Sequence, residues 1–285
     1  MEKIREAALA AKPVPVPVID AHTHLLPYRL KGWYQAYDKT EDVVHQMDRL
    51  GIDCIVTAPH PLINGTMEIA NAAAAEAAEL FPGRVKGYIS IQPYQGVDEV
   101  KAQISKYSQN PNFLGLKFLI KYHGNLPQAE YEYALDFADE MACPVLIHNY
   151  GDWEGLQNIR RALEKRSKVK IIVAHQGGGY AVFSRELAKI MRDHDNCFME
   201  LCGSLENRYS VEDLIGLVGE DRLIYGSDLI NLDPAYDFGK VAFSPIDDEI
   251  KRKVFALNYL STLKDSQMGK LTLVDPSKKG NGVFA

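Results

Sequence analysis

Eight short apolar runs recur along the chain, separated by longer stretches with helical periodicity. The runs are VIDAH (18–22), DCIVTAP (53–59), VKGYISIQP (85–93), FLGLKF (113–118), PVLIHN (144–149), VKIIVAHQ (169–176), CFMELCG (197–203) and RLIYGSD (222–228). They are rich in Val, Ile and aromatic residues and nearly continuous, which predicts strands buried on both faces. Between them, TEDVVHQMDRLG (40–51) sets Val43, Val44, Met47 and Leu50 on one helical face. It stops at Gly51, suited to a left-handed helix end. IANAAAAEAAELF (69–81), EYEYALDFADEM (130–141) and SRELAKIMRDH (184–194) read as further helices. SVED (210–213) and SPIDDE (244–249) carry N-terminal capping patterns, the second with Pro245 at the first helical position.

The runs recur about every thirty residues, the length of one strand–helix unit. Strands alternating with helices pair in parallel. The expected fold is therefore α/β, a closed (β/α)8 TIM barrel. A doubly wound open sheet is the rival, but it carries a Gly-rich phosphate loop after its first strand. Here that strand runs into HTHLLP, which has no glycine. Residues 1–17, with Pro13, Pro15 and Pro17, read as an extended N-terminal arm, 18–265 as one barrel domain and 266–285 as a C-terminal tail.

Composition narrows the function classes. A formal charge of −6 over 285 residues argues against nucleic-acid binding, and the basic run RRALEKRSKVK (160–170) reads as a solvated helix end. No run approaches the roughly 20 apolar residues of a membrane span. The five apolar residues before Lys12 are fewer than a secretory signal core needs. Cys54, Cys143, Cys197 and Cys202 form no CxxC pair. Reduced thiols and a cytoplasmic protein are expected.

Barrel enzymes carry their reactive groups at the C-terminal strand ends. The first run ends in His22 and His24, the fifth in His148, the sixth in His175 and the eighth in Asp228, while the fourth carries Lys117. Side chains alternate along a strand, so Asp20, His22 and His24 share a face and both imidazoles can reach one ion. Nitrogen and carboxylate ligands of this kind suit Zn²⁺, with Mn²⁺, Fe²⁺ or Ni²⁺ as alternatives. His60 and His123 fall on the catalytic rim, whereas His45 and His194 read as structural or solvated.

IDAHTHL, GLKF, PVLIHNYGD, IIVAHQGGG, RLIYGSDL and VFALNYLSTL, in that order over residues 18 to 262, resemble the amidohydrolase superfamily. The likeness is to its compact amidohydrolase-related branch of hydrolases, lactonases and non-oxidative decarboxylases. The resemblance implies His22, His24, His148, His175 and Asp228 as ligands of one or two ions. Asp228 doubles as general base, and His175 holds a second ion or contacts substrate or water. Lys117 falls where some members keep a carboxylated bridging lysine and others an unmodified amine. Both termini are too short for the second β-rich domain of larger members. Glu200, in strand seven, either enters the site or orients a ligand from behind it.

The implied function is a metal-dependent hydrolase of a small-molecule ester, lactone or amide, using a metal-activated water with Asp228 as base. The alternative is a metal-dependent non-oxidative decarboxylase of an aromatic or unsaturated acid. Neutral imidazoles are needed for ligation, so activity should fall below about pH 6. Arg29, Trp33 and Tyr34, in the long loop after strand one, are candidates for substrate contact, and Lys117 is a further one. The expected partner is a small molecule, and a homodimer is compatible with the sequence.

Overall fold

A computed structural model of the chain describes residues 3–26, 39–203 and 211–272. Eight parallel strands form one sheet in sequential order: β1 (Ile19–Thr23), β2 (Cys54–Thr57), β3 (Val85–Ile91), β4 (Phe113–Phe118), β5 (Pro144–Ile147), β6 (Lys170–Val173), β7 (Cys197–Glu200) and β8 (Leu223–Ile224). The barrel closes through the end of β8. The amide of Ala21 donates to the Tyr225 carbonyl at 3.1 Å, Asp228 donates to the His22 carbonyl at 2.8 Å, and Thr23 bridges Leu229 in parallel. Helices fill the gaps as the periodicity predicts. Thr40–Leu50 buries Val43 and Met47, and Gly51 ends it at φ 75° and ψ 27°.

Two apolar layers hold the cylinder. One cluster takes a residue from every strand: Ile19, Val56, Tyr88, Leu114, Leu146, Ile172, Phe198 and Ile224. A ring with one contribution per strand can only be the plug inside the barrel. The other cluster joins alternate strand residues such as Ile55, Val145 and Ile171 to helix residues such as Leu135, Ile159 and Leu187, and so lies between sheet and helices. Two residues past the plug, the same interior face of β3, β5 and β7 presents Ser90, His148 and Glu200. The apolar plug is thus the floor of a polar layer.

Two local expectations are corrected, and part of the tail is placed. Residues 3–9 of the supposed extended arm are helical, anchored by the buried Ile4, and only the Pro–Val segment stays extended, burying Val14, Val16 and Val18. Ser244 caps no helix start: its hydroxyl donates to Glu212 at 3.0 Å, and the next helix begins at Asp248 behind Asp247. Of the tail, 266–272 is described. Gln267 donates to the Met141 carbonyl at 2.9 Å and Gly269 to that of Phe113 at 3.0 Å, so this segment lies across the N-terminal ends of β4 and β5. The cap proposed at Ser210 lies outside the described residues, as do Arg29, Trp33 and Tyr34. Among the described residues no helix is long and apolar enough to cross a membrane.

Candidate metal centre

The strand ends bring Lys117, His22, His24, His148, His175 and Asp228 into one buried cluster. Its centre is β1. The pairing of β1 with β2 shifts register between Asp20 and Thr23, and this separates Asp20 from the histidines. Asp20 instead ties β1 to the end of β8, accepting from the Ser227 amide at 3.0 Å and from its hydroxyl at 2.5 Å. His22 Nε2 lies 3.2 Å from His24 Nε2 and 3.8 Å from Asp228 Oδ1, and His24 Nε2 lies 3.2 Å from the same oxygen.

Hydrogen-bond partners assign the tautomers. His24 Nδ1 donates to the Ala58 carbonyl at 2.7 Å, and His22 Nδ1 donates to Glu200 Oε2 at 3.0 Å. A neutral ring that donates through Nδ1 keeps its lone pair on Nε2. Two nitrogen lone pairs and a carboxylate oxygen therefore face one another, an arrangement that repels itself unless positive charge lies among them. The Lys117 ammonium meets the His22 lone pair from one side at 2.7 Å, and the gap between His24 and Asp228 is left for a cation or proton. Ligand bonds of ~2.1 Å at tetrahedral angles separate ligand atoms by ~3.4 Å, and the observed 3.2 to 3.8 Å brackets that value. His148 adds a buried Nε2 with no hydrogen-bond partner among the described residues. The donor set fits a divalent ion.

Electrostatics agree. Burial, followed by the Lys117 ammonium, holds His22 well below the ordinary histidine value of 6.5. Burial, followed by His175 and Lys117, does the same to His148. Burial works to raise the Asp228 carboxyl, but positive charge shared with His24, His22 and His175 outweighs this and keeps it well below the usual range, the same demand for a proton or cation among these groups. Lys117 Nζ lies 2.7 Å from His22 Nε2, and burial pulls its ammonium down to about 8. The left-handed backbone of His175 (φ 56°) and Asp228 (φ 56°) places strain at two members of the cluster. After His175 the chain stays left-handed through Gly177–Gly179, and a Cβ on Gly178 would strike the Phe183 ring.

His175 is reached differently from the others. Its Nε2 pairs with His148 Nδ1 at 2.8 Å, and its Nδ1 faces Cys202 Sγ at 3.3 Å. A second convergent group, His22, His175, Glu200 and Cys202, results on the far side of the His22 ring. Its donors and acceptors satisfy one another, so it reads as a hydrogen-bond network. Sequence reasoning missed Cys202 here, and it missed Asn231, which donates to Asp228 Oδ1 at 3.0 Å while its own oxygen meets His60 Nε2 at 2.7 Å. The position of Asn231, three residues past Asp228, was the available signal. Around the mouth, the Tyr122 ring stands 5.2 Å from His148 and the Tyr150 ring 5.7 Å from His175.

The amidohydrolase family model matches residues 19–258, the span that builds this cluster. The chain belongs to the amidohydrolase family. Similar folds are found in 2,6-dihydroxybenzoate decarboxylase from Rhizobium (TM-score 0.68, 14% identity, covering 87% of this chain and 99% of that one). They are found also in 5-carboxyvanillate decarboxylase from Sphingomonas paucimobilis (0.67, 12%, 88% and 100%). A third is dihydroxybenzoic acid decarboxylase from Polaromonas, determined with bound manganese and the inhibitor 2-nitroresorcinol (0.62, 15%, 87% and 97%). No curated protein matches the sequence. This member of the amidohydrolase family thus shares its barrel with decarboxylases, one of them determined with bound manganese.

Proposed function

We propose that this amidohydrolase is a metal-dependent non-oxidative decarboxylase of a planar aromatic or unsaturated carboxylic acid. The observation that carries this reading is the pairing of aromatic walls with a buried cation. Tyr122 and Tyr150 stand over His148 and His175, and the Lys117 ammonium lies at the floor beside His22. Aromatic rings at the rim and a cation beneath them favour a flat ring bearing an anion. The barrels of similar fold that act on dihydroxybenzoates and 5-carboxyvanillate support it.

His22, His24 and Asp228, with the open lone pair of His148, are the residues that would hold a divalent ion. When bound, that ion supplies positive charge to stabilise electron density developing on the substrate. Lys117 pairs with the substrate carboxylate. The tyrosine rings orient the plane and exclude water from it. The reaction breaks the carbon–carboxylate bond, releases CO₂ and leaves an electron pair on carbon, which takes up one proton. Asp228 is ionised at rest, so it first receives that proton from solvent, directly or through a substrate hydroxyl that solvent reprotonates in the product, and then delivers it to carbon.

The same ionised Asp228 favours a second reading, the hydrolysis of an ester, lactone or amide with Asp228 as base towards water. Product analysis separates the two. Protein loaded with zinc or manganese is incubated with hydroxybenzoates and, separately, with aryl esters and lactones. CO₂ release with loss of the acid's ultraviolet absorbance is expected. Turnover of esters or lactones, with no CO₂ from any acid, overturns the decarboxylase reading.

A further inference from the structure

We propose that Glu200 and Cys202, at the end of β7, are a positioning couple that sets the tautomers of His22, His175 and His148 from behind the cluster. The proposal rests on the reading of His22 and His148 as members of the metal-holding set, with His175 linking them to β7. Both residues are fully buried, so every polar atom must find a partner inside the protein. Glu200 Oε1 accepts from the Cys202 amide at 2.5 Å. Glu200 Oε2 accepts from His22 Nδ1 at 3.0 Å, from the His175 amide at 3.3 Å and from the Cys202 thiol at 3.0 Å. Each neighbour of this carboxylate is a donor, which is the pattern an ionised carboxylate requires.

The thiol continues the relay. A buried thiol beside a carboxylate keeps its proton and donates it. Its sulfur lone pairs then face His22 Nδ1 at 3.2 Å and His175 Nδ1 at 3.3 Å, both of which must carry hydrogens. With Nδ1 of His175 a donor, its Nε2 accepts from His148 Nδ1 at 2.8 Å. That leaves the His148 lone pair on Nε2, the buried atom with no partner. One carboxylate and one thiol therefore aim three lone pairs, and none of the three choices is local to the histidine concerned. Neither residue touches substrate in this scheme.

Long-range ¹H–¹⁵N NMR of the histidine rings in metal-free wild-type protein reads the tautomers directly. Nδ1–H forms for His22, His175 and His148 are expected, and an Nε2–H form at His22 or His175 overturns the proposal. Zinc titration against a chromophoric chelator gives the second measurement, on wild type, Glu200→Gln and Cys202→Ala. Weakening by about 10- to 100-fold is expected for Glu200→Gln, the usual effect of removing a ligand's outer partner, with a smaller loss for Cys202→Ala. The Co²⁺ absorption spectrum should shift in both. Equal zinc affinity in wild type and Glu200→Gln overturns the couple and leaves the metal centre standing. A wild type that takes up no zinc overturns the centre itself, and the couple with it.

Discussion

Gly226, in the YGSD stretch after β8, faces the back of the candidate metal centre. A Cβ built there would lie 2.8 Å from His22 Cβ and 2.9 Å from Glu200 Cδ, closer still to Glu200 Oε1, whereas ordinary contacts begin at 3.4 Å. His22 Cβ is held by the β1 backbone and Glu200 by its hydrogen bonds, so Gly226→Ala forces shifts of roughly 0.5–1 Å on these neighbours. The backbone at 226 is not left-handed, so the perturbation is one of packing alone. Overpacking costs ~1–3 kcal/mol, and the lost flexibility of the unfolded chain returns about 0.4–1 kcal/mol. The net expectation is a destabilisation of up to ~2.5 kcal/mol. At ~2–4 °C per kcal/mol this lowers the melting temperature of the metal-free protein by as much as ~10 °C. Zinc affinity should fall with it, because the displaced groups are a ligand and its partner. Thermal melts in chelator and a zinc titration read the two effects separately. Gly216, exposed in the helix Val211–Val218 with nothing near its would-be Cβ, is the control. Gly216→Ala should be neutral or stabilising. A Gly226→Ala protein that melts and binds zinc like wild type refutes the reasoning.

Other outcomes follow from the same geometry. Asp228→Asn removes the charge that faces His24 Nε2 at 3.2 Å; turnover on any confirmed substrate should drop by at least ~100-fold, and unchanged kcat would remove Asp228 from the chemistry. Zinc at a hundred times its dissociation constant should stabilise the fold by about 2.7 kcal/mol, reversibly on adding EDTA; a melting temperature indifferent to both counts against the centre. His22 and His148 stay neutral in the fold well below 6.5, by burial first, while the unfolded chain protonates them near that value. The contribution of these two rings to the stability of the metal-free protein should therefore be fully present above about pH 6.5 and be lost below it by about 1.4 kcal/mol per pH unit for each ring. Urea midpoints at pH 7 and 5 check the sign, and the acid limb of activity should lie lower than ordinary histidines would place it. Tyr122→Ala should raise KM for an aromatic acid by roughly two- to tenfold, the worth of one ring contact, and an unaltered KM would take Tyr122 out of the pocket.

Much of this protein is legible along the chain because the relevant physics is periodic. Buried parallel strands announce themselves as continuous apolar runs, and all eight stand where those runs lie. A spacing of two put His22 and His24 within reach of one ion, and Gly51 marked a helix end through its tolerance of positive φ. The strand-end positions of Lys117, His148, His175 and Asp228 followed from barrel geometry once the strands were counted. Tertiary structure alone decided how those groups meet. The β1 register shift turned Asp20 away to Ser227, barrel closure brought Asp228 beside residues more than two hundred positions earlier, and β7 carried Glu200 and Cys202 behind His22 and His175. Periodicity reports which side of its own element a residue faces. Which lone pair of an imidazole stays open depends on donors that the fold delivers from distant strands, and no local pattern encodes their arrival.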